Sequence, residues 1–592
     1  MRKIAVALAF AVAFAAFAQQ PTEAEKLKKL FDDEWEWGLK DDPEGATYVG
    51  DRRYDHLVTD RSAAAFELRR GHDAEVLARI EAIDRSKLPE SERLNYDLFL
   101  YQARRAVAGN RFPSELMPLS RNGGIWDGLS ELAQAIPRDT VKDHENFLAR
   151  MRLFPRAVDE TIALARRGLE KGLTPPRPII GNVAELIQNQ IFDDPAKSPT
   201  YELVFAELPK TFPEAEQKRL QAEAAKVLRD DVMPALRKLQ KFWNEEYYPK
   251  TRESIAWTAL PQGKEWYEHR VRVMTTTDLT ADQIHELGQS EVKRIRAEME
   301  RIKDETGFKG TLAEFFNFLR TDPQFYYTTR EDLLRAYRDI AKRIDPELTR
   351  LFGKLPRTPY GVIPVPAYAE KTTTTAYYNA GSPEGNRPGY FYANLYDLKS
   401  RPKWEMEALT LHEAVPGHHL QISIAQELEN VPRFRRFGGT TAFVEGWGLY
   451  AESLGPELGM YKDPYSRFGQ LTYEMWRAVR LVVDTGMHSK GWTRQQAIDF
   501  FVSNSSKPLH DIEVEIDRYI SWPGQALAYK IGELKMKELR AKAEKQLGDK
   551  FSVRAFHDAL LGDGPLPMAV LEARMNAWMG ERSKVKGEST SP

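Results

Sequence analysis

A chain of 592 residues is longer than one ordinary hydrophobic core needs, and its 42% hydrophobic and 29% charged residues are the composition of a globular protein. Its 85 basic and 87 acidic residues are interspersed and nearly cancel, so no electrostatic footprint points to nucleic acid or to an anionic membrane surface. Cysteine is absent, which excludes disulfides, zinc–thiolate sites, a cysteine nucleophile and a cysteine-linked lipid anchor.

The N-terminus, MRKIAVALAFAVAFAAFAQQ, has Arg2 and Lys3, an apolar run from Ile4 to Phe17, and an Ala16-Phe17-Ala18 cleavage pattern. Residues 1–18 are expected to be a secretory signal peptide cleaved before Gln19. The run is short for a membrane span and no stop-transfer pattern follows, so no membrane anchor is expected after cleavage. The destination is then the periplasm or the medium.

Residues 19–592 show neither a fixed-period repeat nor a low-complexity linker, and are expected to form one large helical domain. Segments 21–43, 143–172, 211–247 and 280–307 carry apolar residues three and four apart, with Thr280 to Asp282 as an N-terminal capping signal. The exception is 354–400, where Thr- and Tyr-rich runs flank the turn-forming GSPEGNRPG. Thr372–Asn379 and Gly389–Leu395 are expected to be strands of a small antiparallel sheet. Helices then return. The fold class is mainly α, with the sheet just before the segment that carries the chemistry.

That segment is LTLHEAVPGHHLQ, residues 409–421. A helix that places two His four residues apart turns both rings to one side, where they can share a zinc beside a glutamate base. His412 and Glu413 fit the first half, but the position four residues on is Pro416. On an unbroken helix His418 would lie about 240° round from His412, and His419 about 10 Å along the axis. Pro416-Gly417 supplies a break, since Pro cannot donate the helical hydrogen bond and Gly permits unusual dihedrals. A two-residue loop there would deliver His418 as the second ligand, and a three-residue loop would deliver His419. A kinked core helix with hydrogen-bonded histidines is the alternative.

A helix at 440–455, TTAFVEGWGLYAESLG, carries Glu445 and Glu452 on one face. Two His ligands need one carboxylate to complete a three-ligand catalytic zinc site, and Glu445 is the candidate. Glu452 is placed to orient a histidine from behind. Further on, RLVVDTGMHSKGW contains Arg480, Asp484 and His488, and DRYISWPGQALAYKIG contains Arg518, Tyr519, Gln525 and Tyr529. Peptide hydrolysis needs an electrophilic partner for the oxyanion, and His488 and Tyr529 are the candidates. Tyr377, Tyr378 and Asn379 on one expected strand, and Tyr390, Tyr392 and Asn394 on the other, could pair with an extended substrate backbone or simply pack.

The blocks HEAVPGHHLQ, EGWGLYAE, RLVVDTGMHSKGW and WPGQALAYKIG, with DDPEGATYVGDRRYD near the start, resemble the domain of unknown function 885 family from about residue 25 to 580. That family is itself similar to zinc oligopeptidases and carboxypeptidases, whose Gly-His pair matches Gly417-His418 and whose glutamate helix matches FVEG. The resemblance implies a zincin-like helical fold around a core at about 400–535. It also implies Zn²⁺ held by His412, His418 and Glu445, with Glu413 as general base. The longer His-to-His spacing is where this chain departs from those enzymes. The expected function is a zinc metallopeptidase acting on short peptides. The alternatives are a zinc amide or ester hydrolase with a non-peptide substrate, and a non-catalytic binder with a vestigial site.

Overall fold

Segments whose apolar residues recur at three and four fold as helices in the computed structural model, which describes residues 21–584 apart from Asn122, Tyr368, Thr372 and Gly385. The expected signal peptide lies outside the described residues. Helix makes up 68% of the structure and strand 4%, so the chain is mainly α. Among the described residues no helix is long and apolar enough to cross a membrane.

Local sequence sets the helix starts. Helices α1 (Glu23–Asp41), α2 (Val141–Glu170) and α4 (Ala281–Glu305) begin at Thr22, Thr140 and Thr280, each with a reciprocal capping box. Helix α3 (Gly263–Thr275) lies between the last two. Segment 211–247 is not one regular helix: Glu214–Val227 and Met233–Phe242 are each followed by a wide turn, Leu228–Val232 and Trp243–Tyr247. Pro234 has no N–H to give, and the ladder widens just ahead of it.

The sheet has strands β1 (Tyr360–Pro364), β2 (Ala376–Asn379) and β3 (Gly389–Ala393) in the order β1-β3-β2. β2 and β3 pair antiparallel as expected, with Tyr377 opposite Tyr392 and their rings stacked at 4.7 Å. The expectation of a wholly antiparallel sheet is corrected by β1, which runs parallel to β3 with Val362 opposite Phe391. Pro359 and Pro366 flank β1 and Pro364 ends it, which hides its strand signal, and its partner lies far along the chain. Both expected strands are also shorter, because buried Asn394 donates to the carbonyls of Glu370, Thr373 and Thr374 and gathers the preceding chain into a turn.

The site is framed by α5 (Met406–Glu413), α6 (His418–Gln426), α7 (Thr441–Ser453), α8 (Pro464–Ser489), α9 (Leu509–Ser521) and α10 (Ala528–Leu547). A continuous apolar core running from Leu98 to Met579 holds them. Helices α7 and α10 cross with backbones in contact: a Cβ added to Gly532 would lie 1.8 Å from the Ala442 carbonyl oxygen. Gly532→Ala should therefore separate the two helices at a cost of about 1–3 kcal/mol, read as a lowered Tm by calorimetry.

The α8 carboxylate of Asp484 ties α3 to the turn before α10, accepting from the Tyr267 hydroxyl at 2.7 Å and from the Gly524 N–H. Burial outweighs these hydrogen bonds and lifts its pKa from 3.8 to about 7. A carboxyl raised on folding contributes stability that is complete below pH ~4 and is lost as pH rises to ~7, about 4 kcal/mol in all. Asp484→Asn removes that titration, so its Tm relative to wild type should climb between pH 4 and 8. Parallel Tm profiles would contradict this reading.

Candidate metal centre

The histidine segment is broken where Pro416-Gly417 stands. Helix α5 ends at Glu413, α6 starts at His418, and the Val415–Pro416 peptide between them is cis. The loop folds tightly under the end of α5: a Cβ on Gly417 would sit 1.9 Å from the His412 carbonyl oxygen and 2.4 Å from that of Leu411. Only glycine fits there. Trp447 on α7 pins the loop by donating its indole N–H to the Pro416 carbonyl at 2.8 Å.

This turn brings His418 back beside His412, with ring centres 4.7 Å apart. Glu445 on α7 completes the group: its Oε2 is 3.7 Å from His412 Nε2 and 3.5 Å from His418 Nε2. Donor atoms of the three residues all lie within 4.8 Å of one another. Bonds of 2.0–2.1 Å at tetrahedral angles require donor atoms roughly 3.3–3.5 Å apart, so the set fits a zinc-sized ion. Gly448, one turn along α7, makes room, since a Cβ there would meet His412 Cε1 at 2.7 Å.

The electrostatics agree with a cation site. His412 Nδ1 donates to Glu452 Oε1 at 2.8 Å, which leaves the Nε2 lone pair facing Glu445 and His418. Glu452 is fully buried and is itself held by Arg477 at 3.3 Å. Burial disfavours a charged His412, yet the Glu445 and Glu452 carboxylates raise its pKa to about 9. Burial also works against charge on Glu445, but His412 and His418 hold its carboxyl well below the usual range. A divalent cation held among these atoms would take the place of a proton shared between them. Glu452→Gln keeps the shape but weakens the grip on the imidazole, and should lower metal affinity about 10–100-fold in a chelator competition.

The three residues line a cavity of about 320 Å³ together with Glu413, Tyr529 and strand β2. Among the described residues Glu413 makes no side-chain hydrogen bond or ion pair, although only 8% of it is exposed. Tyr529 on α10 stacks against His412 at 6.4 Å and accepts from Gln525 at 3.2 Å, leaving its own proton to give. Arg477, Arg480 and Arg518 face the cavity, and Trp522 stands at its edge, 43% exposed.

Two expected histidines fall elsewhere. His419 turns away toward the sheet, where Nδ1 meets the Tyr378 hydroxyl at 2.9 Å and the ring packs 4.6 Å from Tyr360. Burial lowers its pKa to about 4. His488 does not reach the cavity: Nδ1 accepts from the Trp257 N–H at 3.3 Å and Nε2 donates to the Tyr519 carbonyl at 3.1 Å. Full burial lowers its pKa to about 3, so it is a neutral pin between α8 and α9 and not an electrophile. Sequence reasoning missed Arg477 and Glu515, whose signal was weak because each is one charge among many on an amphipathic helix.

The chain belongs to the family described as bacterial protein of unknown function (DUF885), whose model matches residues 43–575. No curated protein matches it. It is similar to the crystal structure of a candidate lipoprotein from Colwellia psychrerythraea, with 27% identity and a TM-score of 0.89, over 95% of this chain and 100% of that one. A candidate lipoprotein of unknown function from Shewanella oneidensis shares the fold at 18% identity and a TM-score of 0.67, over 94% of this chain and 100% of that one.

Proposed function

We propose that the protein is a zinc-dependent hydrolase that cleaves short peptides, with His412, His418 and Glu445 holding the metal. The observation that carries this reading is the convergence of two imidazoles and a carboxylate in a cavity that also contains an unengaged glutamate, Glu413. Zinc, when bound, supplies Lewis acidity that polarises a carbonyl and makes water acidic near neutral pH. Glu413 takes the proton from the attacking water and passes it to the leaving amine. Tyr529 donates its hydroxyl proton toward the carbonyl oxygen as negative charge develops there. Strand β2 is an outer strand of the sheet and lines the cavity, so an extended peptide can align along it. The pairing of a His-Glu helix with a glutamate helix is the zincin-like element of this proposal.

Amide or ester hydrolysis on a non-peptide substrate uses the same groups. A non-catalytic binder has no use for a buried glutamate without a side-chain hydrogen bond or ion pair among the described residues, and Glu413 favours hydrolysis over it. The N-terminal segment supports a periplasmic or secreted location. Metal analysis after zinc loading and dialysis should give one zinc per chain, lost in His412→Ala and Glu445→Ala. Wild-type protein with no stoichiometric metal would contradict the reading.

A further inference from the structure

We propose that the Arg480–Arg518 wall of the cavity binds a carboxylate of the substrate, which would make the enzyme select peptides by a free acid group close to the cleaved bond. The proposal rests on the hydrolase reading above and narrows its substrate class.

Helix α8 supplies Arg480, and α9 supplies Glu515 and Arg518. Arg480 donates Nε to the Tyr519 hydroxyl at 2.7 Å and Nη2 to Glu515 at 3.0 Å. Arg518 donates Nε and Nη2 to the same Glu515, at 3.2 and 2.9 Å, and Nη1 to Gln525 at 2.9 Å. Two guanidiniums thus share one carboxylate, and the wall keeps one positive charge over. Among the described residues no acid but Glu515 forms an ion pair with either guanidinium; burial favours the neutral form of Asp484, and Glu452 pairs with Arg477. Across the cavity Glu413 and Glu445 would together balance the divalent ion of the proposed function. Arg480 is only 3% exposed, and its Nη1 has no hydrogen-bond partner among the described residues.

A buried guanidinium that shares its one counter-charge and lacks a full set of acceptors is costly unless a ligand completes it. The planar fork of Arg matches a carboxylate better than any other common anion of a peptide. Trp476 and Tyr529 cover the faces of Arg480 at 4.7 and 4.3 Å, which excludes water and strengthens the interaction.

The reach is right. Arg480 Cζ is 4.3 Å from the Tyr529 ring centre, itself 6.4 Å from the His412 ring centre, so it lies at most about 11 Å from that ring. A metal bond of ~2 Å, a hydrogen bond of ~3 Å and one residue of ~3.5 Å nearly span that distance. A C-terminal carboxylate one or two residues past the cleaved bond fits, and so does an acidic side chain at that position.

The test uses zinc-loaded Glu413→Gln protein, so that substrate is held uncleaved, and calorimetric titration with N-acetylated tripeptides. One pair compares the free C-terminal acid with its amide, and the other compares C-terminal amides carrying Glu or Gln as last residue. The expected result is roughly tenfold or tighter binding of the acid in at least one pair, and the pair that discriminates identifies the source of the carboxylate. That preference should vanish when Arg480→Gln is added, and return in part with Arg480→Lys. Equal binding within both pairs, or no binding at all, would overturn the proposal even if the Arg480 variants fail to fold. Cleavage of the same peptides by zinc-loaded wild type is scored separately. Cleavage without discrimination refutes the carboxylate wall and spares the hydrolase, while discrimination without cleavage does the reverse.

Discussion

Glu413→Gln should retain one zinc per chain while its peptide hydrolysis falls by roughly 10²–10⁴-fold. The residue follows His412 at the end of α5 and lines the cavity, yet it is absent from the donor cluster formed by His412, His418 and Glu445. Gln has nearly the same shape and no basicity, so the variant separates proton transfer from metal binding. With no structural partner among the described residues, its loss should leave the unfolding free energy within about 0.5 kcal/mol of wild type. Metal content by mass spectrometry and turnover on the same sample provide the check. Near-normal turnover at full occupancy would remove Glu413 from the mechanism.

Gly417→Ala should abolish stoichiometric zinc binding without touching a ligand. The new methyl would overlap the carbonyl oxygens of both His412 and Leu411, which are backbone atoms and cannot swing aside. The loop must then open, and His418 moves away from Glu445. The accompanying loss of stability should be about 1–3 kcal/mol. His418→Ala should lose the metal likewise, whereas His419→Ala should keep it, because His419 faces Tyr378 and Tyr360 across the other side of α6. Zinc retained in Gly417→Ala would contradict this account of the loop, and zinc lost in His419→Ala but kept in His418→Ala would reverse the assignment of the second histidine.

The break in the histidine helix was legible because a short-range rule fixes it. A Pro-Gly step breaks a helix wherever it occurs, and two late histidines on an unbroken helix could not reach His412. Which of them turns inward was not legible, since it depends on how closely the loop backbone approaches the end of α5. Glu445 and Glu452 could be read from their seven-residue spacing on one helix face. His488 misled because sequence shows a histidine but not that Trp257 and Tyr519 use both its ring nitrogens. The role of Gly448 and the Ala442–Gly532 contact could not be read either, since each depends on a helix far away in sequence. Strand β1 was missed for a related reason: it pairs with a distant strand, and its flanking prolines imitate a loop. The shared Glu515 between Arg480 and Arg518 appears only when α8 and α9 are side by side.

The central claim is that this cavity hydrolyses peptides with a metal, and a library digest tests it most directly. Wild-type protein loaded with one equivalent of zinc is incubated with a mixed library of short peptides, before and after chelator treatment, and products are read by mass spectrometry. The account predicts cleavage products that disappear with chelator, return when zinc is restored, and are lost in zinc-loaded Glu413→Gln. A library left intact by fully zinc-loaded wild-type protein, or cut equally well after the metal is removed, would contradict it.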